Sequence, residues 1–367
     1  MDNMKPMRSS PVLVQRSAGL VRVVLNRPDV LNSLNLEMVR IISSVLDEAE
    51  NDNNVRMVVF MGRGEKGFCA GGDIRVIAQA ARSGSKQDAM RFFEEEYALD
   101  LRIHRYSKPV VVLADGITMG GGLGISAGAD MVIATGRTMM AMPETRIGFF
   151  PDVGASGWLF SRCPGGYPEF LGLTGYEAFG AECVRLGLAD AVADSGRLTE
   201  IDAELERISD ELPPDREVII LRIEETLDPF LEKNIPENND MDKWVQEYFA
   251  GKDNIVNILG SLRQCSLQST LCDGVFRRLS ERSPYAVVAT LAMLRHNEGR
   301  SLEGVFAADL KAASHLMNRH DFREGVRARL IDRDNTPSWE PDTFEEAQSC
   351  EDLESFLREE DRTVPDA

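Results

Sequence analysis

Residues 114–130 read A-D-G-I-T-M-G-G-G-L-G-I-S-A-G-A-D, and after an apolar run at 131–134 the chain continues M-P-E-T-R-I-G-F-F-P-D-V-G at 142–154. The β-rich run 110–114 leads into three consecutive glycines, Gly120, Gly121 and Gly122, where a helix should start. A strand, a glycine turn, a helix and a further strand are the alternation of an α/β fold. Glycine at that turn lets a ligand approach main-chain N–H groups that no helical carbonyl has claimed. Such donors suit an anion or a developing oxyanion. The second half sets two carboxylates, Glu144 and Asp152, among Met, Ile, Phe, Gly and Pro. Ionisable groups in that company are candidates for a perturbed pKa and for acid–base or nucleophilic work. Each half taken alone also has a structural reading, as a glycine-rich helix entry and a capping acid.

Working outward, 12–14 and 20–25 read as a hairpin, with Ser17-Ala18-Gly19 near its turn. Pro28 ends the second strand, and Asn35 caps an amphipathic helix running to about residue 51. The run 55–61 is apolar apart from Arg56, as a strand buried on both faces would be. Gly62, Gly64 and Gly67 then satisfy the dinucleotide-binding spacing G-x-G-x-x-G. That fingerprint should open into a helix, whereas here it runs into Phe68-Cys69-Ala70-Gly71-Gly72-Asp73, which reads as loop up to a helix start near Asp73. Gly71 and Gly72 ahead of that start make a second backbone donor site. Two such sites, each following a strand, are the expected halves of a two-donor oxyanion hole.

A long helix is expected over 86–105, with Glu94 and Glu95 on a solvated face. Residues 149–172, rich in Gly, Pro and aromatics, suit a pocket wall. Beyond residue 197 the pattern is helical: 198–212 closed by Pro213-Pro214, a further periodic run from 217, a helix opened by Ser283-Pro284, and another over 302–320. The chain therefore reads as an α/β core (10–197) bearing the active site, a helical C-terminal region (198–340), and an acidic tail (341–367) expected as a short helix or frayed end.

A net charge of −19 argues against nucleic acid or an anionic membrane as the main partner, and no run approaches the length of a bilayer-spanning helix. A phosphate-bearing ligand must then find a local basic cluster. The six cysteines, at 69, 163, 183, 265, 272 and 350, show no C-x-x-C spacing and read as reduced thiols. The four histidines, at 104, 296, 315 and 320, form no ligand cluster, so no metal site is expected. The first eleven residues are weakly basic but include Asp2, so they are poor evidence of a transit peptide.

Five segments together resemble the crotonase (enoyl-CoA hydratase/isomerase) superfamily: N-R-P-D-V-L-N-S-L-N (26–35), G-F-C-A-G-G-D-I-R (67–75), A-D-G-I-T-M-G-G-G-L-G (114–124), M-P-E-T-R-I-G-F-F-P-D-V-G (142–154) and H-D-F-R-E-G-V-R-A-R-L-I-D-R-D (320–334). Within it they look most like the branch that hydrolyses 3-hydroxyisobutyryl-CoA. The resemblance implies a spiral of ββα units and an acyl-CoA substrate, with coenzyme A carried by substrate and product and no separate cofactor. It implies oxyanion donors at the Gly72 and Gly121 N–H groups, and a catalytic glutamate at Glu144. Hydratases of the superfamily carry a second glutamate where this chain has Gly124, which puts paired-glutamate hydration in doubt. In the hydrolase branch Glu144 would be nucleophile or general base, Asp152 would position the hydroxyl or the water, and Glu96 would contact substrate. Asp152 in P-D-V-G also reads as a helix N-cap. Arg27 and Arg75 are candidate contacts for the adenosine phosphates, or surface partners of nearby acids. The resemblance further implies valine breakdown, commonly in mitochondria, and a possible homo-oligomer. A hydratase or isomerase using Glu144 alone, or a structural role in mitochondrial ribosomes, are the alternatives it carries.

Overall fold

The structure is a computed structural model and describes residues 10–17, 19–82, 86–265, 269–353 and 357. Strands β1 (Val12–Ser17) and β2 (Leu20–Leu25) form the expected antiparallel hairpin. Helix α1 (Leu36–Asn51) starts where Asn35 accepts a hydrogen bond from the Met38 N–H at 2.9 Å, and it buries Met38, Val39, Ile42, Val45, Leu46 and Ala49. Strand β3 (Met57–Gly62) is followed by β4 (Gly67–Cys69), so Phe68 and Cys69, expected as loop, belong to a short strand, while 70–73 remain loop up to the helix that starts at Ile74. The reason is a sharp reversal. A Cβ on Gly62 would lie 2.7 Å from Gly67 O and Phe68 Cα, so the glycines let the chain double back on itself.

The same unit then repeats. After α2 (Ile74–Arg82) and α3 (Lys86–His104) come β5 (Val110–Ala114), β6 (Ile117–Met119) and α4 (Gly121–Ala127). Next are β7 (Met131–Thr135), β8 (Met139–Ala141), α5 (Ala155–Arg162), α6 (Tyr167–Thr174), β9 (Ala178–Phe179), α7 (Ala181–Arg185) and β10 (Ala191–Ala193). The first strand of each pair joins a six-stranded sheet ordered β1-β2-β3-β5-β7-β10, parallel beyond the β1–β2 hairpin. The second joins a four-stranded sheet ordered β4-β6-β8-β9, and in the last pair the order is reversed, with β9 in the small sheet and β10 in the large one. The chain thus spirals between two sheets. The smaller one has strands of two or three residues, too short for an alternation to declare itself in the sequence.

The helical remainder comprises α8 (Leu198–Ser209), α9 (Arg216–Leu227), α10 (Asn239–Phe249), α11 (Ile255–Gln264), α12 (Ser269–Ser280), α13 (Pro284–Asn297), α14 (Leu302–Met317), α15 (His320–Val326) and α16 (Phe344–Gln348). The single helix expected over 302–320 breaks where Arg319 adopts extended geometry. The stretch 198–340 divides in two. Helices α8 and α9 cover the outer face of the large sheet, packing Ile201, Leu205, Ile208, Ile219 and Ile223 on Val59, Val111, Leu113 and Ile133. Later helices share one continuous core with the inner face and α1, α3 and α5. Within the tail, α16 is described, while 354–356 and 358–367 lie outside the described residues, as do residues 1–9. Cys265, at the end of α11, and Cys272, on α12, form a disulfide with their Cα atoms 6.4 Å apart. That corrects the expectation of six reduced cysteines: spacing along the chain cannot reveal which two thiols the packing of helices brings together.

Candidate active site

The two donor sites meet side by side. Past β4, Gly71 takes φ +91° and Gly72 bridges to Leu34: the Leu34 N–H donates to Gly71 O at 2.8 Å and the Asp73 N–H to Leu34 O at 2.7 Å. That pattern turns the Gly72 N–H the other way, with no acceptor for it among the described residues. Past β6, Gly120 (φ +48°) delivers Gly121 as the first residue of α4, whose N–H has no carbonyl one turn back. A Cβ on Gly71 would sit 3.1 Å from Met119 O and 3.4 Å from Gly121 N, so the two turns touch.

Three carboxyl groups pack on the glycine face of α4. Glu144 opens a 3₁₀ turn (Glu144–Ile147) after β8 and lies with Oε1 3.0 Å from where a Cβ on Gly120 would be. Glu96, on the inner face of α3, is 2% exposed, and its Oε1 would collide with a Cβ on Gly121. Asp100, one turn further along α3, has Oδ2 2.5 Å from a Cβ on Gly124. The glycines at 120, 121 and 124 therefore make room for acids as well as freeing N–H groups. Asp152 completes the group, held by the Tyr97 hydroxyl donating to Oδ2 at 2.7 Å.

Electrostatics follow from burial among like charges. Burial, then the neighbouring Asp152, raises Glu144 well above the usual carboxylate range, and its Oε2 is sealed from solvent with no partner. Burial, then Asp100, Asp152 and Glu144, raises Glu96. Burial pushes Asp152 up to about 6, with the Tyr97 hydrogen bond holding it down.

A cavity of about 580 Å³ opens onto Gly71, Gly72, Gly120, Gly121, Glu96, Glu144 and Asp152, with Phe92, Phe93 and Phe149 among its apolar walls. Exposed Arg75 lies on its lining; Arg27 does not. Arg27 bonds to Asp73 Oδ2 at 2.9 Å and to Ser33 O at 2.6 Å, clamping the loop that carries Gly72. The sequence reading missed Arg146, Arg329 and Arg333, which also line the cavity. Helix α15 packs on the 144–148 turn, where a Cβ on Gly325 would strike Ile147, and a π-helical turn (Arg327–Ile331) swings Arg329 and Arg333 over the opening. These arginines fall inside quoted motifs, but their convergence depends on contacts across the fold. Gln- or Asn-like side chains there would have carried the same helical pattern.

Two free glycine N–H groups beside buried carboxyls in one cavity form an arrangement for oxyanion chemistry, and the sequence comparisons give its family. The profile of the enoyl-CoA hydratase/isomerase family matches residues 20–357, and the chain belongs to that family. It is 36% identical over 343 residues to 3-hydroxyisobutyryl-CoA hydrolase, mitochondrial, of Gallus gallus, covering 92% of this chain and 86% of that one. The protein of the same name from Rattus norvegicus is 35% identical over 356 residues, covering 96% and 90%. Among solved structures, a carnitinyl-CoA dehydratase from Mycobacterium thermoresistibile superposes with a TM-score of 0.86 at 32% identity, covering 98% of this chain and 99% of that one.

Proposed function

We propose that this chain is a thioester hydrolase that releases CoA from 3-hydroxyisobutyryl-CoA, with 3-hydroxypropionyl-CoA as a second substrate. The observation that carries the reading is the pairing of Glu144 with a Tyr97-held Asp152 in the cavity that also presents the two glycine N–H groups. The thioester oxygen accepts from Gly72 and Gly121, whose fixed dipoles stabilise the negative charge that develops as the carbonyl becomes tetrahedral. The ionised carboxylate of Glu144 attacks the acyl carbon, the C–S bond breaks with CoA leaving as the thiolate that then takes up a proton, and an anhydride forms. Asp152 orients water to open it, aided by the proximity of its raised pKa to neutral pH. A general-base route uses the same two carboxyls without an acyl–enzyme, and trapping with hydroxylamine separates the two.

Glu96, which lines the cavity against Gly121, serves as a further contact for the substrate. Arg75, Arg146, Arg329 and Arg333 give an otherwise acidic chain the local positive field that CoA phosphates need. Arg27 serves by holding Asp73. The relatives' names supply mitochondria as the setting of the proposal, and the family resemblance adds valine breakdown.

Thiol release from 3-hydroxyisobutyryl-CoA and crotonyl-CoA, for wild type, Glu144→Gln and Asp152→Asn, tests it. Release from the hydroxyacyl substrate that both substitutions abolish is expected. Hydration of crotonyl-CoA with no CoA release would overturn the reading. The Asp100 carboxyl already stands against Gly124, which is why hydration by a second acid from that position is disfavoured.

A further inference from the structure

Behind the reacting groups, α3 presents Glu96, Asp100 and His104 at four-residue steps along one face. Glu96 reaches the cavity. Asp100 has no exposed surface, and neither of its oxygens has a hydrogen-bond partner. The Nε2 of His104, near the end of the helix, is likewise buried and unpartnered. Helix α14 faces this stripe with Phe306, whose ring centroid lies 6.3 Å from that of His104, and with fully buried Asp309. Asp309 Oδ2 accepts from the Gly154 N–H at 2.8 Å, while Oδ1 has no partner. Buried polar atoms are nearly always paired, and leaving them unpaired is costly. A file of them running from the cavity into the helix layer, with Gly124 lacking a side chain to let Asp100 fit, calls for a function.

We propose that the Glu96–Asp100–His104 stripe is a proton path from the cavity floor towards the far end of α3, with bridging waters between the side chains and Asp100 as the central carrier. The proposal rests on the hydrolytic reading above. Thioester hydrolysis breaks the C–S bond and delivers the water oxygen to the acyl carbon. One water proton ends on the CoA sulfur, and ionisation of the product acid leaves one further proton per turnover. While CoA fills the arginine-lined opening, that proton needs another way out. It passes to Glu96 and through water to one Asp100 oxygen, as the proton on the other Asp100 oxygen moves on towards His104 Nε2. Loss of a proton from the other ring nitrogen of His104 to water, with rotation of the Asp100 carboxyl, then restores the starting state, and no redox partner is required.

The surroundings suit a carrier. Burial and the acids facing Asp100, which are Asp152 from the loop before α5 and Asp309 from α14, keep its carboxyl protonated. Burial, then Arg162, lowers His104 to about 4, so its ring is neutral and able to accept.

Asp100→Asn keeps the shape and cannot relay a proton. Its kcat for CoA release should fall about tenfold with KM changed less than about twofold, a split that marks a step after binding. His104→Gln should lose less, and millimolar imidazole should restore part of the loss by carrying the proton from the outer end. Thermal melting checks that each variant folds, and if Asp100→Asn does not, His104→Gln with and without imidazole decides. Wild-type kcat in both folded variants would overturn the path while leaving the hydrolase reading intact. Absence of CoA release from the wild type itself would sink the hydrolase reading, and the path with it.

Discussion

The two faces of the six-stranded sheet are covered by helices in opposite manners. On the outer face, α8 and α9 lay Ile and Leu against Met57, Val59, Val111 and Ile133, and the buried charge at its edge, Arg22, is engaged by Asp202 at 2.7 Å and Glu206 at 2.6 Å. On the inner side, α3 and α14 bury Glu96, Asp100, Asp152 and Asp309 beside Glu144, with several oxygens unpaired. The first layer is built for stability. The second holds acids in a low-dielectric site that favours their protonated forms, at a cost in stability that functional sites commonly carry.

The sharpest way to break the contrast is to substitute one residue from each side. Glu144→Gln should lower kcat for CoA release by about 10²–10⁴-fold, measured by thiol release, with little change in melting temperature. Leu205→Ala on the outer side should do the reverse, lowering unfolding free energy by about 2–5 kcal/mol in a denaturant titration while kcat per folded molecule stays at the wild-type value. A Glu144→Gln variant that melts early, or a Leu205→Ala variant with altered kcat, would dissolve the distinction.

The pH dependence sharpens it. If ionised Asp152 is the working form, kcat should rise through an acid limb near pH 6. Tyr97→Phe removes the donor that favours the ionised carboxylate, so the limb should move to higher pH, by about one unit. Stability carries the complementary sign. Asp100 has a folded-state pKa raised above the unfolded value, so its favourable contribution is complete below the unfolded pKa and is lost as pH rises through the raised one. Asp100→Asn escapes that loss and should be more stable than wild type at pH 8, with a smaller gain at pH 5, read from denaturant melts at both values. Smallest of all, Arg40→Ala breaks a surface pair with Glu95 and should leave both melting temperature and kcat unchanged.

Much of this was legible beforehand because it is local. Asn35 announces its helix through a cap that spans three residues, and the strand within 55–61 is apolar throughout because both faces of the sheet are covered. The acidic triplet of α3 also separates as helical phase dictates: Glu94 is exposed, Glu95 pairs with Arg40, and Glu96 points inward. The small sheet escaped notice because strands of three residues have no measurable period. Arg27 looked like a phosphate ligand because an arginine's partner, here Asp73, lies 46 residues away.

The sequence by itself determined the alternation of helices with the strands of the large sheet, the two glycine turns, and the closeness of Glu144 and Asp152 along the chain, since each depends on backbone preference or on neighbours along the chain. Only the tertiary structure decided which carboxyls share a buried space, that Asp100 takes the room left by Gly124, and that Arg329 and Arg333 return from the end of the chain to the cavity. Those outcomes depend on which surfaces meet after the helices pack, and desolvation and like-charge proximity exist only once they have met.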